Sequence, residues 1–498
     1  MHYVRTPIHA PVLLIALCLA APVFAQSAAT PAQVGDRQQA AKLYYSRASA
    51  ERGDPDAQFN LSMMYEHGQG VETDDAQAAI WYRKAADQDH ADAQNNLALM
   101  YAEGRGVAKD EAQAVALLRK AADHGLAEAQ SNLGLMYIDG HGGVQDDAQA
   151  IGWLRKAAEQ GHSGAEVNLG VAYQKGRGVP QDDARAVVWF RKAADQGNAD
   201  AQFYLGVMCE VGSGVAKDGA QAASWYRKAA DQGQADAQNK LGEMYERGNG
   251  LGKDDAQAAS WYRRAADQGQ AEAQNNIGLL YLYGKGVAQD DAQALAWLRK
   301  AADQGNAHAE FNLGVTYAKG RGVSQDYAQA VAWYRMAADQ GDAAAQYNLG
   351  VMYREGRGVE HDDARAAAWF HRAAKQNFVE AQYSLAIMYD QGLGVALSSP
   401  TSLAFFHEAA DRGFAPAQVN LGVKYMTGSG VALDYAQAIS LFHKAANQGN
   451  ANAEYNLGIV YEKGLGTARD DAQAIVLYRK AADQGHEAAR RRLAGISK

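Results

Sequence analysis

Residues 200–233 read DAQFYLGVMCEVGSGVAKDGAQAASWYRKAADQG, two apolar stripes of period three to four broken by Gly212-Ser213-Gly214. Ala201, Leu205 and Cys209 fall at i, i+4 and i+8, which is one face of a helix. The glycines stop that helix, because glycine enters left-handed backbone space without a steric penalty. In the following unit the second helix opens at Asp254-Asp255 with Gln257 placed to complete a capping box. It buries Ala258, Trp261 and Ala265, and stops at Gly269. The stretch is therefore a helix pair. Helices of about 14 residues are marginal alone, since nucleation is costly, so each pair has to stack on another.

The other pairs are copies of the same unit. Tyr65, Tyr101, Tyr137, Tyr173, Cys209, Tyr245, Tyr281, Tyr317, Tyr353, Tyr389, Tyr425 and Tyr461 recur every 36 residues without an insertion. Twelve full units run over 54–485, with a half-unit before them (36–53) and another after (486–498). The small residue after the Leu, as in Gly206, Gly242, Gly278, Gly314 and Gly350, lets a neighbouring helix approach closely, and the large residue at the Trp261 slot fills the gap between pairs. The fold class that follows is all-α, a right-handed α-solenoid of stacked antiparallel helix pairs.

Composition agrees. The 498 residues include 51 Gly, 8 Pro and 2 Cys, and 48% are hydrophobic, which is too apolar for wholesale disorder. A formal charge of -9 with no basic run excludes nucleic acid as an expected partner. Arg5 precedes an apolar stretch over 11–24 that ends Val23-Phe24-Ala25, the pattern of a cleavable signal peptide over 1–25, followed by a polar linker over 26–35. That stretch is shorter than the roughly 20 residues a membrane helix needs, and Leu17 before Cys18 departs from a lipobox. No later apolar run spans a membrane, so the mature chain is expected in the periplasm or outside the cell with no integral membrane segment. It keeps one cysteine, Cys209, which cannot form an internal disulfide.

The pattern at Ala345, Leu349, Gly350, Tyr353, Gly356, Gly358, Val359, Asp362, Ala366, Trp369, Ala373 and Ala374 resembles the Sel-1-like repeat family, a relative of the tetratricopeptide repeats. The resemblance implies a superhelical protein-interaction scaffold without enzymatic activity, in bacteria often exported and tied to envelope assembly, signalling or host contact. The expected partner is a protein or peptide. A cysteine-rich branch of the family is linked to β-lactam binding or hydrolysis, which makes an envelope-glycan or β-lactam hydrolase the alternative. Against it stand the single mature cysteine and the lack of Ser-x-x-Lys, Ser-Asp-Asn and Lys-Thr-Gly.

Positions that vary between units carry the functional reading. Counted from the residue after the terminal glycine, these are the third, sixth, tenth and thirteenth, all on one face of the first helix. By resemblance to tetratricopeptide repeats this face lines the concave surface. Aromatic residues hold the sixth position in three consecutive units, so the expected partner-binding residues are Phe311, Tyr347, Val351, Arg354, Tyr383, Ile387 and Asp390, with rings giving area and charges giving register. Asparagine at the seventh position in nine units either binds a ligand or ties neighbouring helices. His371, His407 and His443 share a position held elsewhere by Arg and read as solvated surface. The Asp-Asp pairs read as helix caps, and no metal or cofactor is expected. The unit 378–413 breaks the pattern at Asn377, Ser398-Ser399-Pro400 and His407-Glu408 without features that would abolish the fold.

Overall fold

The computed structural model describes residues 46–143 and 145–496; the expected signal peptide and linker lie outside them. The regular structure of the described residues is helical throughout. The chain divides into two compact units, 1–254 and 255–498. Within each, helices of 12–13 residues run in pairs. Examples are Ala199–Val211 with Gly219–Asp231 in the first unit and Ala343–Glu355 with Asp363–Lys375 in the second. Within each unit the helices pack on their neighbours in sequence, which makes the fold an α-solenoid of stacked helix pairs.

Local chemistry sets the helix ends. Asp218 sits outside the helix at φ -150° and accepts the backbone N–H groups of Ala220 and Gln221 at 2.9 and 3.0 Å. These bonds hold its carboxyl below the usual carboxylate range. Gln221 Nε2 donates to the same carboxylate at 3.0 Å, so the expected capping box closes on the cap side chain. Gly212 ends the first helix at φ +86°, with its N–H on the Met208 carbonyl at 2.8 Å. Asn377, the residue in place of a terminal glycine, keeps the same left-handed turn at φ +66°, which asparagine tolerates better than most residues.

The core differs from expectation in one respect. Although Trp261 is buried, the residue after the Trp slot is the deeper knob: Tyr226, Tyr262, Phe370 and Phe406 are almost completely buried, whereas Trp153, Trp189, Trp225 and Trp369 are only partly so. Trp189 packs against the core on both sides of it and so bridges consecutive repeats, as expected of a gap filler. Its outer face carries Lys192, 4.2 Å from the ring centre. The glycine after the Leu has the expected role: a Cβ on Gly206 would lie 2.5 Å from the Tyr226 ring, and one on Gly350 would lie 2.6 Å from Phe370.

In eight repeats a buried glutamine at the fifth position fastens the pair to the one before. Gln130 Nε2 donates to the Ala122 carbonyl at 3.0 Å, at the end of the preceding second helix, while its Oε1 accepts from Gln160 Nε2 at 2.8 Å. The buried Oε1 atoms of Gln94 and Gln382 lack a partner among the described residues, because His124 and Arg412 stand where the donating glutamine would be.

Candidate functional site

Most repeating side chains are spent on joining neighbours. Asn132 donates to Asn95 Oδ1 at 3.0 Å, Asn312 to Asn275 Oδ1 at 2.9 Å, and Asn420 to the Tyr383 hydroxyl at 3.1 Å. Each bond links the seventh position of one repeat to the sixth of the repeat before, so consecutive first helices stand side by side along this face. These asparagines tie helices together. Asn168 and Asn456 have no side-chain partner among the described residues, since Ser131 and Val419 occupy the matching sixth positions.

Two of the three histidines are also more than solvated surface. Arg263 and Arg299 donate to the hydroxyls of Tyr281 and Tyr317 in the next repeat at 2.9 and 2.6 Å. His371 and His407 take over that post, with Nε2 3.0 and 3.3 Å from the hydroxyls of Tyr389 and Tyr425. Among the described residues no group of His, Cys, Asp and Glu is placed to hold a metal ion. The Asp-Asp pairs divide their work. Asp146 caps its helix through the N–H of Gln149 at 2.9 Å, and Asp147 meets Arg177 of the next repeat's turn at 3.0 Å.

The expected binding residues lie on three consecutive first helices of the second unit: Ala307–Lys319, Ala343–Glu355 and Val379–Gln391. Phe311, Tyr347 and Val351 flank one core cluster, and Tyr383 and Ile387 flank the next. All are half-buried. Among the described residues no ring pair joins Phe311 to Tyr347 or Tyr347 to Tyr383; each ring leans on the second helix of its own repeat. Phe311 meets Tyr334 at 5.9 Å, Tyr347 meets Phe370 at 5.5 Å, and Tyr383 meets Phe406 at 6.1 Å between ring centres.

Two further rings extend the array, and the sequence reading missed both. Phe378 lies 5.3 Å from Tyr347 and Phe414 lies 5.2 Å from Tyr383. They occupy the position before the first helix, where Asn306 and Asp342 cap through their side chains, and Phe378 and Phe414 make no such cap bond. Loss of a capping residue in two successive repeats was the available signal. Tyr347, Phe370 and Phe378 thus form one group of rings and Tyr383, Phe406 and Phe414 another in the next repeat, with Phe370 and Phe406 almost completely buried.

The charges flanking this array differ in availability. In three other repeats the thirteenth position serves the core: Glu66, Glu210 and Glu462 accept from the hydroxyls of Tyr82, Tyr226 and Tyr478 at 2.6–2.7 Å. In the two ring-rich repeats the buried partner is Phe370 or Phe406, which offers no hydroxyl, and the thirteenth positions are Arg354 and Asp390. Arg354 has no side-chain partner among the described residues. Asp390 is already paired with Lys424 Nζ at 2.6 Å. This pair edges an open cleft also lined by Phe406, Asn420, Val423, Thr427 and Ser429. The arrangement suits an apolar side chain against the rings and an acidic group at Arg354.

Comparison with known proteins agrees with the geometry. The Sel1 repeat matches twelve consecutive segments, from 55–90 through 451–486. Among solved structures, the chain is similar to a protective antigen present in uropathogenic Escherichia coli strains that displays an SLR fold. The two are 37% identical over 91% of this chain and 97% of that one, with a TM-score of 0.70. It is also similar to a Sel1 repeat protein from Oxalobacter formigenes, 34% identical over 66% of this chain and 93% of that one, with a TM-score of 0.48. No curated protein sequence matches significantly. Repeat pattern, helix-pair architecture and likeness converge: the chain belongs to the Sel1 repeat family, a family of helical-repeat scaffolds for protein interactions.

Proposed function

We propose that the chain is an exported, non-enzymatic adaptor that holds a peptide or an envelope or host protein on the first-helix face of repeats 307–414. The observation that carries the reading is Arg354. Glu66, Glu210 and Glu462 at the same position of other repeats are committed to buried tyrosine hydroxyls, whereas this cation has no side-chain partner among the described residues and shares its helix with Tyr347. Rigid rings bury area at little entropic cost, and a lone cation next to them adds register to the contact. Among the described residues no helix is long and apolar enough to cross a membrane. Export rests on the leader pattern over 1–25, and N-terminal sequencing of the protein recovered from its native host should begin at Gln26. A first residue of Met1 would refute that part.

The binding test uses the full mature chain as bait in an envelope extract, with mass spectrometry of what it retains. Arg354→Glu should lower recovery of the partner about tenfold or more, as expected when a like charge faces an acidic group at a contact. Its melting temperature should stay that of the wild type, because no described side chain depends on Arg354. Tyr347→Ala is a poorer probe, since it also strips packing from Phe370 and Phe378. Unchanged recovery with Arg354→Glu would place the partner elsewhere.

A further inference from the structure

The fifth position of the first helix is Gln in nine repeats and Glu in three, at Glu166, Glu310 and Glu454. The three are 144 residues apart, so the exchange falls on every fourth repeat. All are buried, with 3%, 1% and 6% of their surface exposed. Each accepts from the glutamine at the end of its own second helix: Gln196 at 2.7 Å, Gln340 at 2.8 Å and Gln484 at 2.7 Å. That half of the fastening matches the glutamine repeats.

The other half does not. Eight of the nine glutamines donate through Nε2 to the alanine carbonyl that ends the preceding second helix, as Gln238 does to Ala230 at 3.0 Å and Gln418 to Ala410 at 3.0 Å. An ionised glutamate has no proton to give. The equivalent carbonyls of Ala158, Ala302 and Ala446 keep the turn N–H groups of Gly161, Gly305 and Gly449, but no donor from the fifth position. A protonated carboxyl would supply that donor and remain an acceptor for the glutamine.

We propose that Glu166, Glu310 and Glu454 are proton-operated clasps, each of which on taking up one proton completes its bond to the preceding alanine carbonyl and tightens the stacking of its repeat on the one before. Burial makes all three weaker acids than a free glutamate. Lys192 faces Glu166 and Lys480 faces Glu454, and both oppose protonation, as do the donating amides of Gln196 and Gln484. Gln340 alone opposes it at Glu310, so Glu310 should close first.

The sign follows from linkage. A carboxyl that binds its proton more tightly in the folded than in the unfolded chain adds stability as pH falls through its folded value, and adds it fully below the unfolded value. The capping Asp146, Asp218 and Asp290 act oppositely: backbone N–H bonds hold them low, and their contribution is lost at more acidic pH. Stacking at every fourth repeat should therefore tighten on mild acidification, before the caps fail.

The test is amide hydrogen exchange of the full chain from pH 8 to 5, corrected for the intrinsic rate. In the wild type the opening constants of segments 302–310 and 446–454 should fall about tenfold for each pKa unit by which the folded carboxyl exceeds the unfolded one, and less at 158–166, where burial also holds the His162 imidazole below its usual range and its protonation works the other way. The glutamine segments 230–238 and 410–418 should not change. In the triple variant Glu166→Gln, Glu310→Gln, Glu454→Gln, segments 302–310 and 446–454 should be as protected at pH 8 as the wild type is at pH 5, and flat between. This variant places at each site the residue that nine repeats already carry, and the single Glu310→Gln repeats the measurement at one site. A wild type whose glutamate segments behave like the glutamine segments overturns the proposal. So does a triple variant that keeps the pH dependence.

Discussion

Phe370→Ala should destabilise the second unit by about 3–5 kcal/mol, the usual loss when a buried aromatic side chain is truncated. Phe370 is completely buried, and its ring fills the space that Gly350 leaves open, where a Cβ would stand only 2.6 Å away. Alanine at 370 therefore leaves a cavity between two helices whose backbones are already at closest approach. In a stack of repeats each contacts only its neighbours, so the damage should stay local. Hydrogen exchange should accelerate first over the helices Tyr327–Asp339, Ala343–Glu355, Asp363–Lys375 and Val379–Gln391, which supply the cluster around the ring. Trp369→Ala, one residue away, should cost clearly less, because that ring is only half-buried and lies under Arg372 at 4.4 Å. Equal losses from the two substitutions, or even loosening of the whole unit, would contradict this account.

That contrast shows what the sequence makes legible. The 36-residue period, the helix pair and the stop at each glycine are all consequences of local pattern, so they could be read directly. Which of two adjacent large residues goes deeper depends on the angle at which the second helix meets the first. Periodicity places Trp369 and Phe370 about 100° apart on the helix without saying which faces inward. Only the opposing glycine, Gly350, decides it. The candidate site was legible in the same measure. The sixth-position aromatics stood out because they vary, but their partners Phe378 and Phe414 lie 31 residues on, a separation no helical period connects. Likewise nothing local marks Asp390 as already paired with Lys424, 34 residues later, or Arg354 as free. The availability of a charge depends on whether the next repeat offers it a partner.

The paired glycines of each turn carry the second large expectation, since the sequence suggests one role for both and the structure separates them. The first, such as Gly356 at φ +65°, ends the helix in left-handed conformation. The second, such as Gly358 at φ +71°, lies against the start of the preceding repeat's second helix. A Cβ there would stand 2.3 Å from the carbonyl of Tyr327 and 2.7 Å from the backbone nitrogen of Ala328. No rotamer change relieves a clash with backbone, so the turn has to lift off the helix beneath it. Gly358→Ala should cost about 1 kcal/mol for the left-handed conformation and a further ~1–3 kcal/mol for overpacking. Gly341→Ala provides the control, because Gly341 is also left-handed, at φ +101°, yet has nothing within 4 Å of the added carbon. It should show the conformational cost alone. Urea unfolding of the two variants measures the difference, which belongs to the contact between repeats, and faster exchange at 327–333 and 356–362 in Gly358→Ala would locate it. If the two alanines prove equally mild, close approach of the turn to the preceding helix is not what holds one repeat on the next.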